Sequence, residues 1–126
     1  MKYDLLYLAA GALVAVYLRY KVTGDNLFVG SLPISVLLIN ILGSFILGAS
    51  STAVTELGLD QRYTLLIGIG FCGTLTTMST FAFETVNMAS VGEFATAGVN
   101  IVLNVGASLG AIILGRAVVT LLLGLG

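Results

Sequence analysis

Four stretches of this chain carry no charged side chain: residues 5–18, 26–55, 63–83 and 94–115. A helix needs about 20 apolar residues to cross about 30 Å of hydrocarbon, and the last three stretches meet that length. The first does so when taken as 3–20, with Lys2 and Arg19 reaching back to the headgroups and Tyr3, Tyr17 and Tyr20 at the interface. The pattern predicts helices over 3–20, 33–54, 62–87 and 94–123, a single four-helix transmembrane domain filling 1–126 with both termini on one side. Residues 24–26, 56–60 and 90–93 read as connectors, and Pro33 suits the opening turn of the second helix. No period-2 alternation marks a barrel.

Composition agrees. Only 9% of residues are charged and 58% are hydrophobic, with 16 glycines and a mean hydropathy of +1.10. A soluble domain carries about 25% charged residues. So few charges cannot clothe a water-facing surface, so most of this one must face lipid. A net charge of −1 without a Lys/Arg cluster leaves no footprint for nucleic acid. The single cysteine, Cys72, has no partner for an intrachain disulfide and is read as a packing residue. With no histidine, zinc and haem patterns and Ser/His or Cys/His nucleophile pairs are excluded, so an enzyme is not expected. No small-x-small cleavage site stands clear of the first apolar run, so a removed leader is not expected either.

Charge does not settle orientation. Lys2, Arg62 and Arg116 fall on one side and Arg19 and Lys21 on the other, almost no bias where a fixed topology shows a Lys/Arg excess on the cytoplasmic side. Such a chain can insert both ways and pair as an antiparallel dimer. If Arg19 is buried, a weak three-to-one bias remains. Gly11-x3-Ala15, Ser44-x3-Gly48 and Gly106-x3-Gly110 allow close approach between membrane helices.

Polar side chains at membrane depth are costly and mark function. Asn40 sits near the centre of the second span, where it either joins helices or faces a ligand. Thr96, Asn100, Asn104 and Ser108 recur every four residues in the last span, and this spacing puts them on one face as a ladder about 18 Å long. Gly106 and Gly110 fall on the opposite face. The third span holds five hydroxyl residues between Gly73 and Phe81. Ser/Thr back-bonding to helix carbonyls accounts for some of that density. A helix break weakened by Gly70 and Gly73 accounts for more, with freed carbonyls able to hold a monovalent cation. Glu84 is the acid nearest membrane depth, near a pore mouth or in a hydrogen-bonded contact. Amide and hydroxyl donors without a central acid suit a small hydrated anion, and aromatic ring edges add to them.

Residues 70–81, Gly-Phe-Cys-Gly-Thr-Leu-Thr-Thr-Met-Ser-Thr-Phe, followed by Glu84, resemble the signature of the Fluc (CrcB) fluoride channels, G-x-x-G-G-x-T/S-T-F-S-T-F. Asn40-Ile41-Leu42-Gly43-Ser44-Phe45, then Gly48, is similar to that family's N-x-x-G-S/C-F-x-x-G, and Leu18-Arg19-Tyr20 resembles the end of its first helix. The resemblance implies an all-α integral membrane fold of four transmembrane helices per chain, the third broken mid-membrane. It implies an antiparallel, dual-topology homodimer in the lipid bilayer of the cell (inner or plasma) membrane, with two pores that passively export cytoplasmic fluoride. It further implies a structural sodium ion held by backbone carbonyls of Gly73 and Thr76, and no organic cofactor. Pore positions carried over are Asn40, Met78, Phe81, Asn100, Asn104 and Ser108, with Arg19 and Glu84 structural or in a vestibule. Thr74 stands where the family has its second signature glycine. Met78 stands where it has a phenylalanine, so a polarizable side chain replaces a ring edge. The alternatives are a small proton-coupled multidrug exporter, disfavoured by the lack of an acid in the first span, and a non-transporting accessory subunit, which the polar ladder argues against.

Overall fold

A computed structural model describes residues 3–25 and 27–125. Lys2, counted above among the basic residues, and Asn26 of the first connector lie outside the described residues. Four helical spans are long and apolar enough to cross a membrane: Asp4–Gly24, Ser35–Glu56, Thr64–Ser90 and Phe94–Leu122.

Helix α1 (Asp4–Gly24) opens on an acid and has Lys21 in its last turn, each placed to oppose the helix dipole. Lys21 Nζ stands 5.7 Å from the centre of the Tyr17 ring, and Arg62 lies 5.8 Å from that of Tyr7. Both pairings suit an interfacial belt.

A short hairpin follows, β1 (Phe28–Val29) and β2 (Leu32–Pro33), with Phe28 opposite Pro33 and Val29 opposite Leu32. Gly30 turns it at φ +62°, a conformation that costs glycine little. Pro33 therefore sits at the end of a strand and not in the first helical turn; lacking an N–H, it fits a strand that needs no further ladder bond there. Helix α2 starts two residues later, as Ser35–Glu56. Ser35 Oγ accepts the Leu27 N–H at 2.9 Å, tying hairpin to helix.

The third span is irregular along its length. Thr64–Cys72 is a π-helix, followed by one α turn, α3 (Gly73–Leu75). Thr76 and Thr77 are then extended (ψ 150° and 113°) before α4 (Met78–Ser90) resumes. The Thr77 side chain caps α4, accepting the Thr80 N–H at 3.2 Å. Gly92, at φ +86°, makes the tight turn into α5 (Phe94–Leu122), with the Gly92 and Glu93 N–H groups bonded back to Ala89 and Met88 carbonyls.

Glycines set the helix approaches. A Cβ on Gly11 would strike the Leu66 carbonyl, and one on Gly70 would come within 2.7 Å of the Leu8 carbonyl, so α1 lies directly on the π-helix. Between α2 and α5, a Cβ on Gly48 would strike the Ile112 carbonyl and one on Gly115 the Phe45 carbonyl. This is close small-residue packing of membrane helices. Gly106 and Gly110 meet nothing within 4 Å in the protomer. A small core of Ala15, Ile39 and Leu75 joins α1, α2 and α3, with Leu18, Val22 and Phe71 packed on it. Most other large apolar side chains point outward, as lipid in place of water allows.

Candidate functional site

The break in the third span has a specific cause. In an uninterrupted helix the Thr77 N–H would bond the Gly73 carbonyl, and the Thr80 N–H the Thr76 carbonyl. Here Thr77 N–H donates to Asn40 Oδ1 at 2.8 Å, and Thr80 N–H to Thr77 Oγ1. Both helical donors are spent elsewhere, so the Gly73 and Thr76 carbonyls lose them. Two hard carbonyl oxygens are thereby released, and Gly73 is exposed on the protomer surface.

Asn40 does more than cap a broken helix. Its Nδ2 donates to Asn104 Oδ1 at 3.0 Å and, at a long 3.4 Å, to the Thr77 carbonyl. Asn104 Nδ2 donates in turn to Asn100 Oδ1 at 2.9 Å and to the Asn100 carbonyl at 3.2 Å. Asn100 Nδ2 donates to Thr85 Oγ1 at 2.9 Å, and the Thr85 hydroxyl to the Phe81 carbonyl at 2.8 Å. Backbone groups fix every amide in this series, since the Thr77 N–H can only donate and the Asn100 and Phe81 carbonyls can only accept. Three asparagines and a threonine thus join α2, α4 and α5 by bonds pointing one way.

Beside them opens a cavity of about 390 Å³, lined among others by Asn40, Thr77, Met78, Phe81, Asn104 and Ser108. Gly73 and Thr76 border the same cavity, as do Gly43, Ser44 and Cys72. The chain fold therefore gathers seven of the residues singled out in the sequence: Asn40, Gly73, Thr76, Met78, Phe81, Asn104 and Ser108. Met78 is 72% exposed and Phe81 7%, so one side chain faces out of the protomer and the other is enclosed by it. Asn100 is not on this wall. It is 0% exposed and stands behind Asn104, joined to α4. At the outer end of the ladder, Thr96 meets Ser31 of the hairpin turn at 3.2 Å.

Glu84 and Arg19 lie apart. Glu84 borders a second cavity of about 380 Å³ beneath the hairpin, with Thr23, Ser31, Ser35, Thr80 and Asn87. Its Oε2 is buried and meets no hydrogen-bond partner among the described residues. Arg19 is half-buried, and its carbonyl accepts the Thr23 hydroxyl at 2.8 Å. Two residues escaped the sequence reading of the site. Thr77 is the donor that opens the helix, and Thr85 ends the asparagine series. The signal for Thr85 was its place one turn after Phe81, a hydroxyl on the same helix face.

Apolar exteriors, four spans and an internal polar seam define a multi-pass membrane protein whose hydrogen-bonding groups converge on one mid-span cavity. The family model described as CrcB-like protein, Camphor Resistance (CrcB), matches residues 6–116. A protein named fluoride-specific ion channel FluC from Nitrosopumilus maritimus (strain SCM1) is 40% identical over 117 residues, 93% of each chain. One of the same name from Methanococcus maripaludis is 38% identical over 113 residues, 90% of this chain and 93% of the relative. A third, from Shewanella amazonensis, is 33% identical over 118 residues, 92% of this chain and 95% of its own. The chain belongs to the CrcB family.

Proposed function

We propose that this protein is a passive fluoride channel of the plasma membrane, built from two oppositely inserted copies with two pores, and that it lets cytoplasmic fluoride out. The observation that carries the reading is the cavity bordered by Asn40, Asn104, Ser108, Met78 and Phe81, in a family whose relatives bear the name fluoride-specific ion channel. Amide and hydroxyl hydrogens there replace the water around a small anion. The weakest bond in the seam, Asn40 Nδ2 to the Thr77 carbonyl at 3.4 Å, is the donor that a passing anion takes over most readily. The enclosed Phe81 ring adds its positive edge.

Polar groups exposed beside the cavity argue for a second copy. Gly73 and Ser79 are exposed on the protomer in the middle of a span, and polar backbone facing acyl chains is not tolerated at that depth. A copy inserted the other way covers it. In that arrangement the Gly73 and Thr76 carbonyls of both protomers hold a structural sodium ion, whose charge offsets the dipoles of the freed carbonyls. A negative-inside potential drives anion exit with about 2.3 kcal/mol per charge per 100 mV, so export needs no nucleotide.

The test is electrogenic release. Purified protein in fluoride-loaded liposomes should release fluoride when valinomycin and a potassium gradient clamp the potential, while chloride stays inside. Release without charge movement would replace this reading with proton-coupled exchange, and no release with a transport-inactive role.

A further inference from the structure

The asparagine series begins and ends on one short helix. Thr77, where it starts, caps α4, and Phe81, where it ends, is one turn further along the same helix. The residue that closes the circuit is Thr85, to which neither the sequence motifs nor the cavity wall assigns a role. Its Oγ1 accepts the Asn100 amide at 2.9 Å, and its hydroxyl hydrogen goes to the Phe81 carbonyl at 2.8 Å. The hydroxyl thereby fixes which way Asn100 presents its amide. Asn100 Oδ1 then receives Asn104 Nδ2, and Asn104 Oδ1 receives Asn40 Nδ2.

We infer that Thr85 is a positioning residue for fluoride conduction: by accepting the Asn100 amide it holds the Asn100 side chain that braces Asn104 at the cavity wall. The inference rests on the channel reading above. Without the Thr85 oxygen, the Asn100 amide hydrogen is buried at 0% exposure with no acceptor. Turning the Asn100 amide over does not relieve this. It would set Asn100 Nδ2 against Asn104 Nδ2, and Asn104 cannot turn in response without aiming its oxygen at the Asn100 carbonyl, 3.2 Å from Asn104 Nδ2. Asn40 is held by the Thr77 N–H. The series therefore has one satisfied arrangement with Thr85 and none without it.

Thr85→Val keeps the shape of the side chain and removes the hydroxyl, whereas Thr85→Ser keeps the hydroxyl. The expected result in the liposome assay is about a tenfold fall in fluoride efflux for Thr85→Val and recovery to within about twofold of the parent for Thr85→Ser. A purely structural role is separated by a mutant cycle. In an Asn100→Leu background, where the side-chain link between Thr85 and Asn104 is already cut, Thr85→Val should lower efflux no further. A second tenfold fall there would overturn the inference, as would Thr85→Val conducting at the parent rate. If Thr85→Val does not fold, the parent protein and Thr85→Ser decide the matter by nitrogen-15 NMR of the side-chain amides. Slow solvent exchange at Asn100 and Asn104, with the Asn100 resonance shifted in Thr85→Ser, supports the circuit; rapid exchange at either overturns it. A parent protein that releases no fluoride refutes the channel reading itself, and the two failures stay distinct.

Discussion

Asn40→Asp is the sharpest perturbation of the proposed pore because it barely changes shape. The aspartate keeps an oxygen for the Thr77 N–H, now 2.8 Å from Asn40 Oδ1, so the break in the third span survives. Its second oxygen replaces Nδ2 and faces Asn104 Oδ1 at 3.0 Å and the Thr77 carbonyl at 3.4 Å. Losing those donors and setting oxygens against each other costs about 1–3 kcal/mol. In membrane bundles a single interhelical bond averages only about 0.6 kcal/mol, so the lower end applies and the folded protein is retained. The effect on a passing anion is larger. A fixed charge about 4 Å from fluoride, at an effective dielectric of about 20, repels it by about 4 kcal/mol, or about a thousandfold in rate. The assay is fluoride efflux from liposomes, with size-exclusion elution as the fold control. Efflux within about threefold of the parent, from protein that elutes normally, would remove Asn40 from the ion's path and leave it as a helix cap alone.

Three further outcomes follow from the packing. Gly115→Ala drives a methyl into the Phe45 carbonyl between α2 and α5, and overpacking of this kind should lower stability by about 1–3 kcal/mol, read as a lower thermal midpoint in detergent. Gly73→Val has room inside the protomer, the nearest atom to its Cβ being the Gly68 carbonyl oxygen at 3.8 Å; its effect should fall on assembly, with loss of the dimer and of any sodium dependence, and a normal sodium-responsive dimer would count against the central cation. Met78→Phe changes a side chain 72% exposed on the protomer, so its thermal midpoint should stay within a degree or two while fluoride efflux changes; unchanged efflux would mean the position does not set conduction.

The membrane spans were legible because hydrocarbon admits only long apolar runs punctuated by charge, and the charges at Asp4, Asp25, Glu56, Asp60, Arg62 and Glu93 do that punctuating. The polar ladder was legible because a four-residue repeat stays on one helix face, and Asn104 and Ser108 do border the cavity. The start of α2 was misplaced by two residues because Pro33 fits a helix opening as well as a strand end. Val29-Gly30-Ser31-Leu32 held the competing hairpin signal, two β-formers around a Gly-Ser turn. The break was expected in the hydroxyl-rich stretch that follows Gly70 and Gly73, and it lies there, at Thr76 and Thr77. Its cause is the Asn40 side chain, 37 residues away in the chain, and no local pattern encodes such a partner. Which glycines meet a carbonyl inside the protomer, Gly48 and Gly115 among them, depends on how α2 crosses α5.

The one-way series from Thr77 to Phe81 through Asn40, Asn104, Asn100 and Thr85 has a consequence for how such a sequence drifts. Every member both donates and accepts a hydrogen bond, or is held by backbone that can do only one of these, so no position can be exchanged on its own for a residue of the opposite character. Replacements there should show strong epistasis: singly harmful, tolerated only as matched sets, and invisible to any substitution table that treats sites as independent.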